Sequence, residues 1–376
     1  MTSPGYDVVI VGAGIVGAAC AAECAGAGLS VAVIDAAIIG GGATAAGMGH
    51  IVVMDDSDAQ FALTSYSQSL WNDLASELPS ETEHDTCGTI WVATDDEEME
   101  EVRRKEKLYA KRGVAAEILD CHALEEAEPN LRKGLAGGLR VPRDSVIYPP
   151  AAAQFLIRRA QEKGANLQLG QAVEKITHEG VCLRSGSSIS AGLVVNSAGT
   201  WSPFLSPGIN VQKRKGHLLI TDRYPGFLHH QVVELGYLKS AHSLTEDSVA
   251  FNIQPRKTGQ LLIGSSRQYG AEHSEVDTPL LRQMLQRTLE YMPALSQLSA
   301  IRAWTGFRAA TPDKLPLIGP YSDHRSLYLA TGHEGLGITS SLGTAKLLVD
   351  QILHRTSAIP IEPYMPERIA QELTYA

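Results

Sequence analysis

Apolar residues along this chain follow two rhythms. Short unbroken runs at residues 8–11, 29–34, 193–195 and 327–331 read as strands buried on both faces. Wider helical spacing separates them. Residues 15–25 and 338–352 are rich in small and apolar side chains and read as helices. Ser57 with Gln60 starts another helix as a capping box, with Ala62, Tyr66, Leu70 and Leu74 lining one helical face. Residues 95–112 run from acidic to basic, in the sense that suits a helix dipole, and predict a solvated helix. The Pro-Pro pair at 149–150 turns the chain into a helix over 151–163. Short strands over 167–169, 172–177, 181–184 and 189–196 predict a β-meander beside a parallel sheet. The segments 89–94, 216–221, 231–237, 249–254 and 260–265 predict further strands, the last four in an antiparallel layer. Thr278-Pro279 opens a helix with Leu281, Leu285 and Leu289 on one face.

The turn between the first strand and helix carries the chemistry. Gly12, Gly14 and Gly17 form G-x-G-x-x-G: the first for a tight turn, the second for backbone approach to a pyrophosphate, the third for close helix packing. The helix start, with Ile15 and Val16, turns its free N–H groups and positive dipole end on the phosphates. The next strand ends at Asp35, an acid placed to accept ribose hydroxyls. Together these predict dinucleotide binding, without separating FAD from NAD. Residues 36–50, small and glycine-rich, predict backbone passing close to a large flat ligand, and 193–199 predicts a second sheet end at the same ligand.

Composition narrows the setting. The 376 residues, 44% hydrophobic and 20% charged with net charge −10, suit a large-cored globular chain and disfavour nucleic acid. The longest uncharged apolar run, residues 8–22, is too short to span a bilayer, and no basic leader precedes it. A cytoplasmic chain is expected, with peripheral contact at the inner membrane left open. The cysteines (Cys20, Cys24, Cys87, Cys121, Cys182) show no ligand spacing, and His229 and His230 lack partners, so no metal is expected.

Five pieces together resemble the D-amino-acid oxidase superfamily of FAD-dependent amine oxidoreductases: VGAGIVG with Asp35, GGGATAAGMGH, LVVNSAGTWS, the run WTGFRAATPDKLPLIG over 304–319, and GHEGLGIT. Within it the chain is similar to glycine oxidase and D-amino-acid dehydrogenases, and most to the FAD catalytic (beta) subunits of D-hydroxyproline dehydrogenase and opine oxidase. The resemblance implies an α/β fold, α+β overall. A Rossmann-like FAD-binding domain with parallel sheet and meander would comprise 1–85, 140–210 and 302–376. An antiparallel-sheet substrate domain would comprise 86–139 and 211–301.

The resemblance also implies roles. Further cofactor contacts are expected at Gly42, Ala43, Thr44, Gly47, Met48 and Gly49, at Val173, Ala198, Gly199 and Trp201, and at Gly306 and Gly332. A helix start at Gly335, Leu336, Gly337, Ile338 and Thr339 would face the flavin. Arg308, also near the cofactor, would clamp a substrate carboxylate through its planar fork. His50 and His333 would face flavin or substrate, and Glu334 would pair a substrate ammonium or simply start the helix. Asn252 stands where glycine oxidase places a carboxylate-binding tyrosine. Members with covalent flavin carry a cysteine near 308–313. Here the last is Cys182, so FAD is expected to be non-covalent. The implied reaction is hydride transfer from the α-carbon of an amino or imino acid, D-configured or secondary, such as cis-4-hydroxy-D-proline or D-proline. Opines, glycine and sarcosine are the alternatives. Partner subunits carrying iron–sulfur clusters or flavin would take the electrons. An NAD-linked enzyme and a non-catalytic flavoprotein subunit are the competing readings.

Overall fold

The computed structural model describes residues 5–236, 247–321 and 324–368. The apolar runs become two mixed sheets. In the first, Tyr6–Val11 lies between Ser188–Asn196 and Val31–Asp35, all parallel, with His324–Thr331 and Asn166–Leu169 extending the parallel core. Leu317–Tyr321 adds one antiparallel edge. Val173–Thr177 and Gly180–Leu183 form a meander against Ser188–Asn196, while Asn166–Leu169, expected in it, pairs parallel with Val31–Asp35 instead. The helices Ile15–Gly26, Pro149–Glu162 and Gly337–Ile352 share one apolar core with this sheet.

In the second sheet the order is Ala300–Ala310, Gln212–Thr221, Leu261–Arg267, Ser248–Pro255, Gln231–Glu234, Thr89–Ala93, Gly137–Val141 and Glu117–Asp120. Every pairing is antiparallel except Gln231–Glu234 with Thr89–Ala93. The predicted strand 231–237 ends at Glu234, and residue 237 lies outside the described residues. Ala300–Ala310 pairs along Gln212–Thr221 throughout, so the chain leaves this sheet at Ala310 and not at residue 302. Gly137–Val141 likewise carries the second sheet across position 140.

Three expectations about helix faces are corrected. On Asp58–Leu74 the buried residues are Gln60, Phe61, Leu63, Thr64, Ser67, Gln68 and Trp71, while Ala62, Tyr66, Leu70 and Leu74 are half-exposed. The cause is polar. Ser67 Oγ donates to Thr339 O (2.6 Å) and accepts from Gly343 N (3.0 Å), and Trp71 Nε1 donates to Ile338 O (3.2 Å). Hydroxyls and an indole thus dock this helix on the last one. Thr278–Tyr291 buries Leu280, Met284, Thr288 and Tyr291, one position off the predicted leucine stripe. Asp96–Lys111 is solvated on one side only. Its Lys105 is fully buried, paired with Asp55 and lying 5.4 Å from the Trp91 ring centroid.

Candidate active site

A cleft of about 780 Å³ is lined by both sheets. Its first end is built from backbone. Gly12, at φ +107°, makes the turn, and a Cβ there would meet Ser197 O at 2.7 Å. A Cβ on Gly17 would meet Gly12 O at 1.9 Å, so Gly17 serves helix packing and does not line the cleft. Gly14, Ile15 and Val16 present the helix start to the cavity. Asp35 lines the same end but is already engaged. Oδ2 accepts from Ala13 N (2.7 Å) and Oδ1 from Ala37 N (2.7 Å), leaving further lone pairs for a ligand. Gly42, Ala43, Thr44, Gly47, Met48 and Gly49 continue the wall, as do Val173, Ala198, Gly199 and Trp201. Thr44 Oγ1 takes the Ile15 N–H (3.0 Å), tying this segment to the helix start.

A second helix start closes the cleft. Gly332, Gly335, Leu336, Gly337 and Ile338 line it, with Gly337 packed near Val16. Thr339 is buried behind the wall. Its Oγ1 donates to His50 O (2.8 Å), which fixes the entry to that helix. His333 is on the wall and buried. Nε2 meets Thr344 Oγ1 at 2.9 Å, and burial pushes its pKa down to about 3, so the ring is neutral.

The other end is built from side chains on the second sheet. Arg308 and Gly306 come from Ala300–Ala310. Arg308 lies across Gly216 of the neighbouring strand, where a Cβ would fall 2.6 Å from its guanidinium, and Nη1 donates to Ser266 O at 2.9 Å. Glu334 does not stand open to an ammonium. Its carboxylate pairs with Arg214, the cross-strand neighbour of Arg308, and lies 3.6 Å from Arg267. Nor does it start the helix: at φ +51°, its N–H donates to Ala309 O (2.8 Å), stitching the two sheets together.

His50 and Asn252 meet in the cleft, Nε2 to Nδ2 3.5 Å. Burial, opposed by nearby Gln231 and reinforced by the Arg308 charge, pushes His50 down to about 4. Arg267, Trp91, Gln231 and Gln60 also line this end, and sequence reading missed them. The only local signal was polarity inside apolar strands, as at Gln231 in QVVE, and that does not tell which strands become neighbours. Buried and without hydrogen-bond partners are Trp91 Nε1, Gln231 Oε1, Asn252 Oδ1, Gln60 Oε1 and His50 Nδ1. Each such atom costs about 1–3 kcal/mol unless a ligand or water meets it. Among the described residues no helix is long and apolar enough to cross a membrane.

Comparison with known proteins agrees with this geometry. The family described as "DAO: FAD dependent oxidoreductase" matches residues 7–351. The chain is 28% identical to glycine oxidase of Geobacillus kaustophilus, covering 96% of both chains. It is 26% identical to the hydrogen cyanide synthase subunit HcnC of Pseudomonas aeruginosa, covering 98% of this chain and 97% of that one. It is 27% identical to D-amino acid dehydrogenase of Methylobacterium nodulans, covering 80% and 71%. The crystal structure of the Geobacillus glycine oxidase superposes with TM-score 0.85 at 26% identity, covering 96% of this chain and 98% of that one. The fold is also that of L-proline dehydrogenase from P. horikoshii, with TM-score 0.89 at 24% identity, covering 99% of each.

Proposed function

The chain belongs to this family of FAD-dependent oxidoreductases, and on that premise we propose that it oxidises the α-carbon of an amino or imino acid. The substrate is D-configured or carries a secondary amine, as in cis-4-hydroxy-D-proline or D-proline, and the product is an imine or pyrroline. FAD, when bound, accepts the hydride that leaves that carbon. Gly12, Gly14 and Asp35 at the first helix start, and Gly335 to Ile338 at the second, suit a dinucleotide whose negative charges seek N–H groups and dipole ends. With no cysteine after Cys182, non-covalent attachment is the reading.

Arg308 carries the proposal. Its guanidinium is held in the cleft by Ser266 O and by the bare face of Gly216, so a carboxylate bound to its fork has one orientation. Orientation at one end fixes the α C–H at the other. Glu334, the carboxylate beside it, is consumed by Arg214. The site therefore favours the neutral amine, whose lone pair stabilises the imine as it forms. The neutral imidazole of His50 adds no opposing charge, and Met48 and Leu336 give apolar cover against water. The names of the relatives, glycine oxidase and D-amino acid dehydrogenase, support an amino-acid substrate. One relative is by name a subunit of a larger enzyme, which supports a partner subunit carrying electrons onward.

The test is the rate of anaerobic flavin reduction against substrate concentration. Arg308→Ala is expected to lower kcat/KM by about thirty- to several-thousand-fold, the equivalent of roughly 2–5 kcal/mol, with normal FAD content. Arg308→Lys keeps the charge without the fork and should lose less. Wild-type kcat/KM in Arg308→Ala would remove the carboxylate role.

A further inference from the structure

The second sheet turns an unusual face to the cleft. In register across neighbouring strands lie Trp91, Val233 and Asn252, and beside them Thr89 and Gln231. Trp91 and Gln231 are each 3% exposed and Asn252 6%, and no charge is among them. His50 faces this surface at 3.5 Å from Asn252 Nδ2. The Asn252 amide nitrogen faces His50 Nε2, an arrangement that suits a ring accepting at Nε2 and carrying its proton on Nδ1. The unmet atoms include two N–H donors, Trp91 Nε1 and His50 Nδ1, and the acceptors Gln231 Oε1 and Asn252 Oδ1, with Gln60 Oε1 on the cleft wall and Thr89 Oγ1 beside Gln231. Arg308 contributes to the neutral state of His50, so its charge is felt at this surface.

We propose that this surface is a subsite for an uncharged hydroxyl carried by the substrate away from its carboxylate, making Trp91 and Gln231 specificity-determining residues. The assignment follows from donor–acceptor matching. A hydroxyl gives one proton and accepts two, so it meets both kinds of unmet atom. A second carboxylate would leave Gln231 Oε1 and Asn252 Oδ1 facing oxygen. An ammonium would leave both N–H groups unmet, and a methylene would meet none. A site built to bond a hydroxyl rejects the analogue without it strongly, because its own buried groups stay unpaired. The inference rests on the proposed carboxylate contact at Arg308, which places one end of the substrate and leaves the other at this surface.

The holoenzyme is compared on substrate pairs that differ by one hydroxyl, D-proline against cis-4-hydroxy-D-proline and D-alanine against D-serine. The readout is the anaerobic flavin reduction rate. Titration calorimetry then compares unreactive butyrate with 4-hydroxybutyrate. At least a hundredfold preference in kcat/KM for the hydroxylated member of one pair is expected, with tighter binding of the hydroxylated acid. Trp91→Phe and Gln231→Leu should each shrink that preference at least tenfold, chiefly by loss on the hydroxylated member, with FAD content retained. Equal rates within both pairs, an undiminished preference in both variants, or a stronger preference for D-asparagine than for any hydroxylated substrate would overturn the subsite while leaving the oxidase reading intact. If no amino or imino acid reduces the flavin and neither acid binds, both fall together.

Discussion

The two ends of the cleft are made of different material. The end proposed for the dinucleotide is mostly main chain: a turn at Gly12, two helix starts, and Asp35 holding that turn through the Ala13 and Ala37 amides. The end proposed for the substrate is mostly side chain, with Arg308, Trp91, Gln231 and Asn252 standing on four different strands. A backbone site tolerates few substitutions, because a Cβ at Gly12, Gly17 or Gly49 would fall on backbone atoms already in place. A side-chain site tolerates them structurally and changes its chemistry instead. Loss of cofactor should therefore separate from loss of turnover according to which end is altered.

The harshest way to probe that difference is Gly17→Val. Its Cβ would meet Gly12 O at 1.9 Å and Ser197 Oγ at 2.6 Å, so helix and strand must part. Soluble yellow protein should be essentially absent. Normal flavin content by absorbance would show the contact to be slack.

At the other end, Gly216→Ala makes a milder clash, at 2.6 Å and with the flexible tip of Arg308. The fold and FAD content should survive while the guanidinium is displaced. A roughly tenfold to hundredfold fall in kcat/KM is expected, since even small misplacement of a positioning group is costly. Loss of FAD instead would mean that the two ends are not separable.

Asp35→Ala should be milder. It removes two anchors of the turn as well as a ribose acceptor, each charge-assisted hydrogen bond being worth roughly 1.5–3 kcal/mol. FAD affinity should fall at least about tenfold, read by fluorescence titration of the apoprotein. Unchanged affinity would put the ribose elsewhere.

The smallest effect concerns pH. Burial raises the Asp144 carboxyl to about 7, against opposing hydrogen bonds from Thr89, Val53 N and Gln68. The folded state then holds a proton that the unfolded chain releases near pH 4. This contribution is full below that value and is lost as pH rises through about 7. His50 and His333, lowered to about 4 and 3, work the other way, losing stability as pH falls below about 6.5. Urea midpoints should therefore peak in mildly acidic buffer, and Asp144→Asn should flatten the alkaline limb. A limb unchanged in that variant would assign it to another group.

The same division explains what was legible in the chain. The strand–glycine–helix–strand unit lies within residues 6–35, so periodicity and spacing sufficed, and the observed elements differ only at their ends. Arg308, His50 and Asn252 were found through motif resemblance and do converge on the cleft. Trp91 and Gln231 were not, because their meaning depends on the pairing of Gln231–Glu234 with Thr89–Ala93, segments far apart in sequence. The face of Asp58–Leu74 was misjudged for a related reason. Hydrophobicity marks a buried face only where the neighbour is apolar, and here the neighbour offers helix carbonyls to Ser67 and Trp71.

The order of strands in the first sheet also bears on how the protein is made. Tyr6–Val11 gains one neighbour quickly, Val31–Asp35, yet its other partner Ser188–Asn196 follows only after some 180 residues, and His324–Thr331 later still. At roughly 5–20 residues per second, the fully apolar stretch at the end of that first strand waits about 10–40 s for that second neighbour. Gly337–Ile352, which packs on Ile15–Gly26, joins the sheet only after all of these strands have been made. A message truncated before residue 337 would thus yield a chain whose apolar sheet is covered by two helices instead of three. Such a product calls for chaperone capture or proteolysis, so a nonsense change shortly before residue 337 should be as damaging as one far upstream.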